Sequence, residues 1–183
     1  MKTLSLLVLL LCCCTPLSAQ SPTPQSLIGG QAIVILPGIG LYADWSLGGE
    51  VVVRTEVSAA LGYAYSRQQN NERAFAATLS ATVGPRWYYN YAKRLAGGRS
   101  VYRNSANFLS LRATYLPGTL LFRTSDFAVP LSGFTLIPHW GIRRPLGKLT
   151  FECSAGLGYR YTDEGYGPKT GGGAIDVRFA LGF

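Results

Sequence analysis

His139 is the single histidine of this chain, and it falls within Ile137-Pro-His-Trp-Gly-Ile-Arg-Arg144. A histidine beside a serine and an acid is the minimal set for nucleophilic hydrolysis. The imidazole takes the hydroxyl proton and the carboxylate orients the ring. Ser154 and Glu152 are the partners that a lipid-hydrolysing arrangement would recruit. Against that chemistry, no serine stands in a nucleophile motif, and spacing alone fixes no contact. The other fate for His139 is a structural hydrogen bond inside the fold, and no catalytic residue is assigned. One histidine with scattered carboxylates does not compose a metal-ligand set, so no metal or other cofactor is expected.

The ionised side chains make a second constellation. Asp44, Arg54, Glu56, Arg86, Arg112, Glu152, Arg160, Asp176 and Arg178 all fall on the polar phase of alternating runs. Facing one interior, they would form either a selectivity pathway through a narrow channel or a plug of paired charges. A small barrel is only wide enough for side chains to fill, and buried charges must pair, so the plug is favoured. A third group interleaves Lys93, Arg94, Arg99 and Arg103 with Trp87, Tyr88 and Tyr89. Bases among aromatics suit an anchor at headgroup depth, with the bases on lipid phosphate; a grip on phosphate or glycan is the alternative.

The elements that must position these groups are strands. The chain ends AIDVRFALGF, in which Ile175, Val177, Phe179, Leu181 and Phe183 occupy every second position and Asp176 and Arg178 fall between. Period-two alternation marks a strand with one apolar face. The same pattern recurs in 51–65, 75–87, 107–116, 133–143 and 149–161. These runs reach or exceed about the 9–11 residues a tilted strand needs to cross a bilayer. The polar faces are rich in Gly, Ala and Ser, as a narrow interior requires. Aromatics such as Trp45, Trp87, Tyr89, Tyr159 and Tyr161 stand at strand ends, where a barrel wall meets headgroups. A soluble barrel would turn its large residues inward and leave the polar face wet; alternation by itself fits either.

The first residues favour the membrane. A basic start at Lys2, an apolar run over 4–14 and a small residue at Ala19 read as a secretory signal peptide, 1–19, cleaved before Gln20. Residues 20–27 read as a short polar lead-in and 28–183 as a single barrel domain. Cleavage would remove three of the four cysteines and leave Cys153, so no intramolecular disulfide is expected. The whole chain carries 17 basic against 9 acidic residues, a balance suited to anionic lipid and lipopolysaccharide phosphates. Nucleic acid is a poor partner for an exported chain.

Strand parity completes the architecture. With both termini on the periplasmic side the number must be even. Pro37-Gly38 divides the first apolar stretch into 28–36 and 39–47, since proline cannot donate to a closed ladder, and the total becomes eight. A weaker alternative keeps that stretch whole and finds the missing strand near 119–123. Tight turns at 46–49 and 143–148 would face the periplasm, and 66–74, 117–132 and 162–172 the outside. The long basic connection 86–106 would lie on the periplasmic side, with a short helix at 91–95 ended by Gly97-Gly98.

That connection also carries a likeness. Gly84-Pro-Arg-Trp-Tyr-Tyr-Asn-Tyr-Ala-Lys-Arg94, Gly97-Gly-Arg99 and Asn104-Ser-Ala-Asn-Phe-Leu-Ser-Leu111 resemble blocks of small, largely uncharacterised bacterial outer-membrane β-barrel proteins. Ile137 to Arg144 and Gly156-Leu-Gly-Tyr-Arg-Tyr161 resemble later blocks of that group. The resemblance implies an all-β, transmembrane, antiparallel up-and-down barrel of eight strands, located in the outer membrane of Gram-negative bacteria. It supplies no catalytic residue. Pro37 departs from the group, interrupting a stretch expected to run unbroken. The expected role is structural or loop-mediated binding around a filled interior, with a lipid A- or phospholipid-modifying enzyme or a narrow channel as alternatives. The expected partners are outer-membrane lipid, lipopolysaccharide and the barrel assembly machinery, with Phe179, Leu181 and Phe183 as the assembly signal on a monomer.

Overall fold

Alternating runs this long need partners on both edges, and most find them in the strands next along the chain, while the first and last pair with each other. The computed structural model describes residues 23–34, 37–66, 72–125, 132–163 and 170–183, so the expected signal peptide lies outside the described residues. The strands are β1 (Leu27–Ile33), β2 (Gly38–Gly48), β3 (Val51–Ser66), β4 (Glu72–Trp87), β5 (Asn107–Pro117), β6 (Leu120–Arg123), β7 (Ser132–Leu146), β8 (Leu149–Asp163) and β9 (Thr170–Gly182). A six-residue helix, α1 (Tyr91–Ala96), lies between β4 and β5.

All the pairings are antiparallel. β1 pairs β2, β2 pairs β3, β3 pairs β4 and β4 pairs β5. β5 pairs β7, β7 pairs β8, β8 pairs β9, and β9 returns to β1. The sheet therefore closes into a ring of eight strands. β6 is not a ninth member of that ring. It runs on along β4 beyond Pro117, pairing Phe122 with Ala77, so the 119–123 segment extends β5's position rather than adding one. The break at Pro37-Gly38 falls where β1 gives way to β2.

Several boundaries differ from the sequence expectation: β2 runs through much of the turn expected at 46–49 to Gly48, β4 begins at Glu72 rather than 75, and β8 reaches Asp163 rather than 161. β7 continues past 143 to Leu146, pairs Leu146 with Leu149, and turns at Gly147-Lys148. Gly147 has φ +61°, in the left-handed region that a side chain disfavours. Arg143 consequently belongs to a strand rather than a turn.

The faces are sorted with polarity inside. Ile39, Leu41, Leu157 and Ile175 are each at least 67% exposed on the outer wall. Arg54, Glu56, Arg86, Glu152 and Arg178 are buried within. In water each such apolar side chain would forgo about 1.5–3 kcal/mol of burial. Small residues on the inner phase make room for long ones: a Cβ at Gly141 would meet the Phe108 ring, and one at Gly182 would meet Thr150 and Arg143.

The ring has two unlike ends. The turns at 48–49 and 147–148, residues 88–106, Leu27 and Phe183 lie at one, the capped end. The strand ends at Ser66, Glu72, Arg123, Ser132, Asp163 and Thr170 lie at the other, the loop end, and the connections expected between them fall largely outside the described residues. The β1–β9 seam is the shortest, with three register pairs from Gln31–Gly182 to Ile33–Ala180. It is lengthened by reciprocal backbone hydrogen bonds between Gly30 and Phe183 at 2.9–3.0 Å and by Val34 N–H donating to the Phe179 carbonyl.

Candidate functional site

The interior is built in layers from the capped end. Val52, Tyr88 and Phe108 close the bottom, packed with Tyr91, Val101 and Ala106 from the connection. α1 ends at Gly97, whose N–H reaches the Lys93 carbonyl at 3.1 Å. Arg103 and Asn104 then take left-handed backbone, φ +49° and +60°, to return the chain to β5. Asn104 repays that conformation: its Oδ1 accepts from Gln25 N–H at 2.8 Å and its Nδ2 donates to the Gln25 carbonyl and to Asp44.

Above the cap lies the first charge cluster. Arg54 makes a bidentate pair with Asp44, its register neighbour, at 2.6 and 2.7 Å. It also donates to Glu152 at 3.1 Å. Arg86 grips Glu152 with two bonds, 2.8 and 3.0 Å, and its guanidinium sits 3.9 Å from the Phe108 ring centroid. Arg143 reaches Asp44 at 3.5 Å and donates to the Tyr42 hydroxyl. The Tyr42 ring also lies 4.3 Å beneath Arg54. Three guanidiniums thus share two carboxylates, with aromatic faces meeting the excess charge.

A second cluster stands toward the loop end. Glu56 accepts from Arg178 at 2.7 Å and lies 3.8 Å from Arg112. Asp176 lies 3.7 Å from Arg112 and 2.9 Å from His139 Nε2. The space between the clusters is about 10 Å³, lined by Arg54, Glu56, Arg86 and Arg112, which matches one water at most.

His139 is fully engaged. Nδ1 faces the Ile137 carbonyl at 2.9 Å, an acceptor only, so Nδ1 carries a proton. Nε2 faces Asp176 Oδ2 at 2.9 Å. Neither nitrogen is turned to a serine, and Glu152 is held by arginines, so His139, Ser154 and Glu152 do not form a relay here.

The remaining expected residues divide. Arg160 stands on the inner phase but is exposed at the loop end, with no ion pair among the described residues. Trp87 is exposed on the outer wall beside Tyr89, whose hydroxyl accepts from Trp140 Nε1 at 2.9 Å. Tyr88, expected at an interface, is wholly buried in the cap, because alternation carries its ring inward from β4. Lys93 and Arg99 are exposed, and Arg94 donates to the Ser100 carbonyl. Burial and the neighbouring Arg144 and Arg99 guanidiniums hold Arg94 below its ordinary range. Arg103 donates to the Phe183 carbonyl at 2.9 Å, tying the cap to the closing seam. Phe179 packs against Phe151, and the Phe183 ring covers Gly30, where a Cβ would collide with it.

Tyr42, Arg143 and Asn104 were missed as site residues. Tyr42 shares the polar phase of Asp44, and Arg143 that of His139, so extending each alternation would have found them. Asn104 sits in irregular chain and gave no periodic signal. No family model, curated protein or solved structure matches the chain.

Proposed function

We propose that this chain is an integral outer-membrane β-barrel, closed to through-passage, with a structural or loop-mediated binding role. The observation that carries this reading is the sorting of faces: a continuous apolar outer wall around a polar, charge-paired interior. Lipid is the solvent that makes both faces favourable at once. Aromatics support the same placement. Trp45, Trp87 and Trp140 stand outward toward the capped end, and Phe75, Tyr115 and Tyr159 outward toward the loop end. From Phe151 to Tyr159 on β8 the chain rises about 26 Å at 3.3 Å per residue. At a tilt of about 40° that is roughly 20 Å of bilayer, close to the apolar band of such barrels.

The capped end then faces the periplasm, with Lys93, Arg94 and Arg99 beside the phosphates of the inner leaflet. Lipid and lipopolysaccharide are the surrounding partners, and the protein acts as a monomer. The test is fractionation of expressing cells, with boiled and unboiled samples on one detergent gel. Recovery with the outer membrane and a mobility shift on boiling is expected. Soluble recovery with no shift would sink the proposal.

A further inference from the structure

The loop end of the ring holds a cavity that the paired-charge plug does not use. Its volume is about 240 Å³, roughly eight water volumes at about 30 Å³ each. Its floor is Arg112, Asp176 and Arg178, and below that, among the described residues, lies the 10 Å³ gap lined by Glu56. It is therefore a blind vestibule, sized for a small solute rather than a lipid.

Its electrostatics are unbalanced. Arg112, Arg160 and Arg178 line it against Asp176 alone, with Glu56 held beneath Arg112 and Arg178. Arg178, which lines the vestibule, donates one terminal nitrogen to Glu56 at 2.7 Å. Arg112 holds both acids at 3.7–3.8 Å, beyond hydrogen-bond length, so its donors stay free for another acceptor. Above the floor, hydroxyls pair across strands, Ser58 with Ser80 at 2.9 Å and Thr82 with Thr114 at 2.8 Å. Each keeps capacity for one more bond. Ile33, Leu116 and Ile137 supply an apolar side.

We propose that this vestibule binds a small organic oxyanion, a carboxylate or a phosphate monoester with a short body, entering from the loop end. The anion's oxygens take the free donors of Arg112, with the Arg178 guanidinium beside them as a second positive charge. Arg160 at the rim draws it in, and the body lies against Ile33 and Ile137. Desolvated guanidiniums in a cleft with low-dielectric walls strengthen that attraction.

The test uses the full-length mature chain, refolded in detergent and labelled with nitrogen-15. Sodium butyrate and inorganic phosphate are titrated at constant ionic strength while the arginine Nε–H signals are followed, with butylammonium chloride as the control. Saturable shifts are expected with butyrate, phosphate or both, and none with butylammonium. Saturation by one anion alone assigns the class. Arg160→Gln, which removes no ion pair seen in the fold, is expected to weaken saturation at least fivefold. A non-saturating response to both anions, an equal response to butylammonium, or unchanged affinity in Arg160→Gln would overturn the proposal.

Discussion

At Glu152 three arginines converge, two within hydrogen-bond length and Arg143 Nε at 3.9 Å. Removing that carboxylate leaves three guanidiniums facing Asp44 alone in a buried site. Glu152→Gln is therefore expected to cost about 3–5 kcal/mol, the range for breaking a buried pair by removing one partner. Arg160→Gln, exposed at the loop end, should stay within about 0.5 kcal/mol. Equilibrium urea unfolding of both variants in lipid vesicles checks the contrast, and equal losses would contradict the layered plug. Much of this was legible, because the polar phase of each strand names the side chains that share an interior. The partners were not. Arg54 and Glu56 sit two apart on one strand, yet Arg54 turns to Asp44 and Glu152 while Glu56 turns to Arg178. That choice depends on how the strands are staggered around the ring, which no single strand's sequence records.

Among the elements, the connection from 88 to 106 behaves as a cap as well as a linker. Its turn of helix was legible from Gly97-Gly98, but its burial was not. Tyr88 and Tyr91 read equally well as interfacial aromatics until the ring supplies Val52 and Phe108 to cover them. Phe108→Ala should cost about 3–5 kcal/mol as a large-to-small change in a buried cluster, read as a lower unfolding midpoint. Arg103→Ala should loosen the seam with little change elsewhere, since Arg103 donates to the Phe183 and Ile28 carbonyls. Faster hydrogen exchange at the Gly30 and Phe183 amides, with β3 and β4 unchanged, is the expected signature. Uniform acceleration across all strands would mean that Arg103 supports the whole cap instead.

For the whole molecule, alternation announced two faces and left open which one looks outward. The answer lies in volume. Eight strands enclose room for the Gly, Ser and paired-charge faces but not for Ile, Leu and Trp on every strand. Leu41, 68% exposed on β2 between Ile39 and Trp45, belongs to the outward set. Leu41→Arg should hinder refolding into vesicles by about 2–4 kcal/mol if it lies near the bilayer midplane, and by less toward either surface.

All three tryptophans of the chain, Trp45, Trp87 and Trp140, stand about half exposed on that wall. The native protein thus carries its own probe of what the wall touches. The measurement is tryptophan fluorescence after refolding into vesicles whose acyl chains carry bromine at chosen depths. Strong quenching, greatest for bromines near the headgroups, is the predicted result. Emission indifferent to brominated lipid would place the apolar wall against something other than a bilayer.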